Sequence, residues 1–279
     1  MPAAQRAAMR ALVAAPKFEL IPLKNAMDAA AALPDRATVT VTASPSHGIE
    51  STVELAELLA ANGHAAVPHL SAHMIRDRAH LAELLDRCRA AGFREAFVVG
   101  GDAQDPGEFH DGLSLLRAMH EMGHPFDAVG APGYPEGHAD IATERLVEVL
   151  LDKQPFVSYV ATQMCFNPAA ITGWIAEMRR RGLTRPVHMG TPGVADLTKL
   201  MTVSARIGIA ESARYLKKNR RMVGRLLAPG KFGPDALLEG MAPAFADPGA
   251  NITSLHVFTF NQVAATVEWQ TRMLEALDG

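Results

Sequence analysis

Polar side chains stand where short apolar runs of the sequence end, and these residues are the candidates for chemistry. They are Glu19, Thr42, His69, Asp102, Tyr134, Glu136, His138, Gln163, Thr191 and Asn261. Glu19 is the most distinctive because it lies inside the apolar run Phe-Glu-Leu-Ile-Pro, where a carboxylate is costly to bury unless it is paired or used. A carboxylic acid in such a place is suited to protonate a leaving group.

Asp102 and Gln163 are the next candidates. Asp102 follows two glycines and is equally consistent with a turn residue that caps the next helix. Gln163 closes a strand-like run, and its amide offers two donors and one acceptor. Taken singly, the remaining residues are typical of turns or of a satisfied core histidine, so only their combination points to a site.

No metal site or hydrolase motif is expected. His64, His69 and His73 are closely spaced, but His64 precedes its strand, and HExxH, CxxC and GxSxG motifs do not occur. Cys88 and Cys165 are the two cysteines, too few for a disulfide framework, so a reducing, cytoplasmic setting is expected.

Eight short runs predict the strands that must position these groups. They are Lys17–Pro22, Thr38–Thr42, Ala65–His69, Glu95–Gly100, Asp127–Ala131, Val157–Thr162, Pro186–Gly190 and Ser254–Phe260. Helical patterns lie between them, many ending at glycine, and two of these patterns cover Ala195–Ile207 and Ser212–Leu227 before the last strand.

This order predicts an α/β fold, a single (β/α)8 TIM barrel over residues 1–279 with a short N-terminal helix over residues 1–15. The pattern alone also fits an open doubly wound sheet, but GxGxxG and P-loop motifs are missing, and eight units in one chain favour the barrel. Chemistry in a barrel sits at the carboxyl ends of the strands, where the candidates lie.

The composition of the chain argues against two classes of binding partner. The chain has 279 residues and a formal net charge of −3, which gives no bulk attraction to nucleic acid or anionic lipid. No run approaches the ~18 apolar residues of a membrane span, and the N-terminus lacks the apolar segment of an export signal. The oligomeric state stays open.

Four segments in chain order resemble the methylenetetrahydrofolate reductase family. They are Phe-Glu-Leu-Ile-Pro with Glu19, Gly-Gly-Asp with Asp102, Ala131–His138 (APGYPEGH) and Ala161–Pro168 (ATQMCFNP). The resemblance runs from Phe18 to about Leu274. It implies reduction of 5,10-methylenetetrahydrofolate to 5-methyltetrahydrofolate by NADH or NADPH in a (β/α)8 barrel.

Roles follow from the resemblance position by position. It implies that Glu19 supplies the proton that opens the folate bridge, that Asp102 binds the pterin and supports the reacting centre, and that Gln163 holds the pterin ring. It places Tyr215 near an aromatic that stacks on the p-aminobenzoate ring, and Asn261 after the last strand in the substrate site. The basic cluster Lys217, Lys218, Arg220 and Arg221 either binds the folate tail or is a solvated helix face.

Departures from the family pattern bear on the cofactor. Flavin-dependent members have Arg-Gly-Asp at Gly100–Asp102 and basic residues near Leu151 and Asp152, where they meet the FAD diphosphate. Losing those cations removes charge-assisted contacts. We therefore expect FAD to be absent and hydride to pass directly from NADH, the favoured donor, or NADPH. Thr42, His69, Tyr134 and His138 would then line the nicotinamide.

Three alternatives remain open on the sequence alone. The chain could be a conventional FAD-dependent reductase with rearranged flavin contacts, or a folate-binding subunit without activity. A pterin-dependent methyltransferase is a third, although the zinc or thiolate site it would need is not evident.

Overall fold

Eight parallel strands close into a barrel in the computed structural model, which describes residues 1–101, 106–196, 200 and 231–279. The strands are β1 Lys17–Leu20, β2 Thr38–Val41, β3 Ala65–Ser71, β4 Glu95–Val99, β5 Ala128–Gly133, β6 Tyr159–Thr162, β7 Val187–Pro192 and β8 Ile252–Phe258. Each overlaps one predicted strand. The predicted (β/α)8 barrel is therefore confirmed.

The barrel closes between its first and last strands. β1 pairs in parallel with β2 on one side and with β8 on the other, and Glu19 is in register with Thr40 and Phe258. Because all eight strands run in one direction, their carboxyl ends meet at one rim, which we call the mouth. Glu19 lies one residue before the end of β1 and so close to the mouth.

Helices surround the barrel in the predicted rhythm. They are α1 Ala3–Ala14, α2 Ala26–Ala30, α3 Gly48–Ala61, α4 Arg78–Ala90, α5 Gly112–Met122, α6 Thr143–Lys153, α7 Pro168–Arg180, α8 Asp235–Phe245 and α9 Val263–Asp278. Side chains of Asp77, Asp111 and Asn167 cap α4, α5 and α7 by accepting from free backbone N–H groups. The short helix α2 was not predicted.

The N-terminal helix α1 forms as the sequence indicates. Met9, Leu12 and Val13 are buried in an apolar cluster shared with α7, α8, α9, β7 and β8. The amide of Gln270 on α9 donates to the backbone oxygen of Val13 over 2.8 Å. These contacts fix α1 against the last part of the barrel.

One predicted helix is wrong at its start. Ala195–Asp196 forms a short antiparallel ribbon with Lys231–Phe232 instead of opening a helix. The rest of the predicted helix Ala195–Ile207, apart from residue 200, and the whole of Ser212–Leu227 lie outside the described residues.

The apolar core lies mainly between the strands and the helices, in two large clusters that together span most of the barrel wall. The barrel lumen is different, because it holds titratable side chains in addition to a small apolar group of Val67, Phe97, Tyr159 and Ala161. Within the described residues, no helix combines the length and apolar character that crossing a bilayer requires.

Candidate active site

The centre of the candidate site is a carboxyl–imidazole pair at the mouth. Oε2 of Glu19 lies 2.9 Å from Nε2 of His256, and the two side chains are 12% and 2% exposed. An ionised Glu19 accepts from Nε2–H, whereas a protonated Glu19 donates to a neutral Nε2. The pair can therefore hold a proton on either partner while the carboxyl group keeps one orientation.

Hydrogen bonds to the main chain hold Glu19 in place from β8. The hydroxyl of Thr259, just past the end of β8, donates to the backbone oxygen of Glu19 over 2.5 Å. The parallel pairing of Glu19 with Phe258 supplies the ladder next to it. The backbone that carries the Glu19 carboxyl group is therefore held within a strand.

His69 of β3 is the third polar group at this level. Its ring centroid lies 6.0 Å from that of His256 and 4.8 Å from that of Phe97. Burial, and secondarily the neighbouring His256, lowers the pKa of His69 well below its usual value. His69 is therefore a neutral imidazole at physiological pH, and its Nε2 is buried without a hydrogen-bond partner among the described residues.

A second layer lies deeper in the lumen. Lys17, at the start of β1, forms an ion pair with Glu95 of β4, and its ammonium lies 4.1 Å from the ring centroid of Tyr159. Tyr159 stacks on His188 of β7 with centroids 3.8 Å apart. Gly130 leaves the space for this ring, since a Cβ there would fall 2.3 Å from Tyr159.

Burial dominates the electrostatics of this deeper layer. It lowers the pKa of Lys17, with Glu95 opposing, and raises that of Tyr159 well above its usual value. Burial, followed by the charge of Lys17 and by His256, lowers the pKa of His188 to about 2. Lys17 and Glu95 therefore balance each other, and His188 is neutral.

The carboxamide of Asn261 is occupied by the main chain. Its Oδ1 accepts from the backbone N–H of Ile21 over 2.9 Å, and its Nδ2 donates to the backbone oxygen of Ile21 over 3.0 Å. Asn261 itself has a left-handed φ of 58°. The sequence suggested substrate binding for Asn261, whereas the contacts here clamp the segment that follows Glu19.

Gln163 and Thr42 lie at the mouth as expected from their positions after β6 and β2. The backbone N–H of Gln163 donates to Gly133, and that of Thr42 donates to Leu20, over 2.7 and 2.9 Å. The hydroxyl of Thr52 on α3 donates to the backbone oxygen of Thr42. Both side chains are half-buried, and the main chain holds each of them on the rim.

Tyr134 and His138 form a pair of their own beyond β5. Their rings meet edge to face with centroids 5.6 Å apart, and Nδ1 of His138 accepts from the backbone N–H of Asp140. Tyr134 also lines a small pocket between β5, α6 and α7 that includes Trp174 and Met178. The structure therefore brings Tyr134 and His138 together, and separately brings His69 to Glu19.

Six further candidates lie outside the described residues. They are Asp102, Tyr215, Lys217, Lys218, Arg220 and Arg221.

Sequence reasoning missed His256, and with it Lys17 and His188 of the lumen. The alternation of side chains along each strand could have indicated these lumen residues, because every second residue of a barrel strand points inward. Lys17 shares its face of β1 with Glu19, and Lys17 is in register with His256 on β8. That register, which no single segment reveals, completes the site.

The fold and this site define a TIM-barrel protein with a carboxyl–imidazole pair at the mouth. Similar solved structures include an uncharacterized protein from Clostridium thermocellum, described as binding two copies of 5-methyl-5,6,7,8-tetrahydrofolic acid. That likeness has a TM-score of 0.59 and 9% identity and covers 94% of this chain and 93% of that one. A GH18 chitinase from Pseudoalteromonas aurantia matches with a TM-score of 0.54 and 12% identity, covering 94% and 100% of the two chains. At these identities the likenesses show the fold alone.

The sequence itself carries the family. The model of the methylenetetrahydrofolate reductase family matches residues 13–271, which include every described strand of the barrel. The chain therefore belongs to the methylenetetrahydrofolate reductase family.

Proposed function

We propose that the protein reduces 5,10-methylenetetrahydrofolate to 5-methyltetrahydrofolate, taking hydride directly from NADH or NADPH without a bound flavin. The Glu19–His256 pair is the observation that carries this proposal. It offers a positioned acid at the mouth of a barrel whose family acts on this folate.

The chemistry requires an acid before it requires a reductant. The one-carbon bridge of the substrate becomes a hydride acceptor only when one carbon–nitrogen bond breaks to leave an iminium ion. The departing nitrogen must then take up a proton, and protonated Glu19 supplies it from the mouth. The resulting carboxylate, as an anion, stabilises the cationic iminium.

The balance of the reaction is then simple. The hydride on C4 of the dihydronicotinamide moves with its electron pair to the iminium carbon, giving the methyl group and the oxidised nucleotide. One proton from water restores Glu19. Thr42, His69, Tyr134 and His138 are the residues we propose for the nicotinamide, and Asp102, Gln163 and Tyr215 those for the folate, while Asn261 positions the backbone that follows Glu19.

The scarcity of available cations along α6 supports a reaction without flavin. Arg145 bonds Glu148, Lys153 is buried, and Asp152 is an exposed carboxylate in the last turn. The described surface of α6 therefore offers a flavin diphosphate one guanidinium, that of Arg145, which already pairs with Glu148, and the Asp152 carboxylate would repel the diphosphate. We therefore propose that these residues do not hold a flavin diphosphate.

An isotope experiment tests the proposal. The purified protein is assayed with methylenetetrahydrofolate and dihydronicotinamide deuterated at C4, without added flavin. We expect turnover, no flavin absorption band, and deuterium retained in the product methyl group. A flavin N–H exchanges with water, so loss of the label together with a stoichiometric flavin band would establish the conventional FAD reductase instead.

Inactive protein that still binds folate would support the non-catalytic alternative. Equilibrium binding of 5-methyltetrahydrofolate, measured on the same preparation, identifies that outcome. Comparison of NADH with NADPH in the same assay assigns the donor.

A further inference from the structure

Three side chains from separate strands converge at the mouth. Glu19 of β1, His69 of β3 and His256 of β8 each direct one ligating atom inward, and these three atoms all lie within 4.8 Å of one another. Glu19 is partly buried, and both histidines are buried. We propose that these residues form a binding site for one divalent transition-metal ion of the zinc class.

An unused nitrogen atom supports this site independently of the spacing. His69 is 6% exposed, and its Nε2 has no hydrogen-bond partner in the described part of the chain. Buried polar atoms are normally satisfied, so an imidazole nitrogen left unpaired beside a carboxylate indicates a ligand that completes it.

The donor set selects the class of metal. Two imidazoles and one carboxylate form a recurrent set of protein ligands for zinc, with a fourth position left for water or substrate. Magnesium and calcium prefer oxygen donors and more of them. Tetrahedral coordination with bonds of about 2.1 Å separates ligand atoms by about 3.4 Å, between the present 2.9 Å contact and the 4.8 Å limit.

Charge also favours a cation here. Lys17 is matched by Glu95 in the deeper layer, and Glu19 contacts no lysine or arginine among the described residues. A divalent ion would replace the hydrogen bond between Glu19 and His256 and recruit His69. Strands hold all three residues, so only small side-chain movements are needed.

Metal binding would oppose the reaction, an extension that rests on the proposed function. A carboxylate that coordinates zinc cannot carry the proton for the folate nitrogen. Zinc is then an inhibitor that competes with methylenetetrahydrofolate for the mouth.

Direct metal binding tests the site without folate or nucleotide, so its outcome is separate from that of the reductase assay. The full chain is stripped with EDTA, dialysed, and titrated with Zn²⁺ against a chromophoric chelator. We expect one ion per chain, no competition from Mg²⁺, and the visible bands of four- or five-coordinate Co²⁺ when cobalt is substituted.

His69→Ala removes one ligand and should weaken zinc binding at least about 100-fold, since loss of an outer partner alone costs 10–100-fold. Glu19→Gln, nearly isosteric, should do the same and serves if His69→Ala does not fold. His188→Ala is the matched control, because His188 is a buried lumen histidine outside the cluster, and it should retain the wild-type affinity. Wild-type protein that binds no zinc, or equal binding by wild type and Glu19→Gln, would overturn the proposal.

Discussion

The carboxamide of Asn261 pairs with both backbone hydrogen-bonding groups of Ile21, so the chain after β8 continues the ladder to β1 beyond the last strand residues. The left-handed φ of 58° at Asn261 turns its side chain back toward Ile21. Glu19 lies two residues before Ile21. The clamp therefore holds the main chain that carries the acid.

Asn261→Gly keeps the left-handed backbone accessible but removes both side-chain hydrogen bonds to Ile21. We expect the free energy of unfolding to fall by about 1–3 kcal/mol, since two part-buried hydrogen bonds are lost and each contributes about 0.5–1.5 kcal/mol. Urea denaturation followed by circular dichroism measures it. Asn251→Gly is the matched control, because Asn251 also has a positive φ, of 50°, and makes no side-chain hydrogen bond within the described structure. Equal losses in the two variants would contradict the clamp.

Glu19→Gln tests the proton donor. A carboxamide preserves the shape and a hydrogen bond to His256 but cannot protonate the folate nitrogen. We expect kcat to fall by about 10²–10⁴, the usual contribution of general acid catalysis, while folate binding changes little. Glu239→Gln removes an exposed carboxylate on α8 and should leave kcat unchanged. A Glu19→Gln enzyme as fast as wild type would exclude Glu19 as the acid.

Two glycine substitutions with opposite expected effects on stability test the packing of the lumen. A Cβ at Gly130 would lie 2.3 Å from the Tyr159 ring, so Gly130→Ala must displace that ring from His188. We expect a loss of about 1–3 kcal/mol in stability from overpacking. Gly173 lies within helix α7 with no atom within 4 Å of an added Cβ, so Gly173→Ala should stabilise the protein by about 0.5–1 kcal/mol. Thermal melts compare the two, and a stabilised Gly130→Ala variant would contradict this packing.

His188 predicts acid sensitivity of the metal-free protein. Burial lowers its pKa to about 2 in the folded state, whereas the unfolded side chain titrates near its ordinary value of 6.5. Between these values the unfolded chain binds the extra proton, so stability is fully present above pH 6.5 and declines as the pH falls toward 2. His69 acts in the same direction.

The change of the free energy of unfolding with pH is measurable by urea denaturation at pH 7, 6 and 5. Each such histidine contributes about 1.4 kcal/mol per pH unit below 6.5, and His188→Gln should remove one such contribution. His110→Gln changes an exposed histidine and should leave the slope as in wild type. An unchanged slope in His188→Gln would show that His188 protonates freely in the folded protein.

Local sequence signals were sufficient for the strands and for the position of Glu19 near the mouth. β-branched runs bounded by glycine and proline mark strands because those residues suit a buried, extended backbone. Glu19 is marked by the cost of burying a carboxylate within an apolar run, which its immediate neighbours alone reveal. Helix α2 was not predicted because its five residues show too little periodicity. The ribbon at Ala195–Asp196 was not predicted because its partner strand lies far along the chain.

The partners of Glu19 could not be found in the same way. His256 is typical of a half-apolar strand when read alone, and its relation to Glu19 depends on the register between β1 and β8. Asn261 was placed correctly after the last strand, but its contact with Ile21 depends on a positive φ that its sequence neighbours do not reveal. The contacts of Glu19 and Asn261 therefore depend on strand register and backbone conformation, which the local sequence pattern does not reveal.

The closure between β1 and β8 has a consequence for biosynthesis. Glu19 and His256 are 237 positions apart, so the nascent chain exposes the first strand long before the last one leaves the ribosome. Contacts of such high sequence separation form late and slowly in folding. Until then β1 has a free edge, with which strands of other chains could pair. Glu19 acquires its partner His256 only when the barrel closes. The carboxyl–imidazole pair therefore forms only after the last strand has joined the barrel.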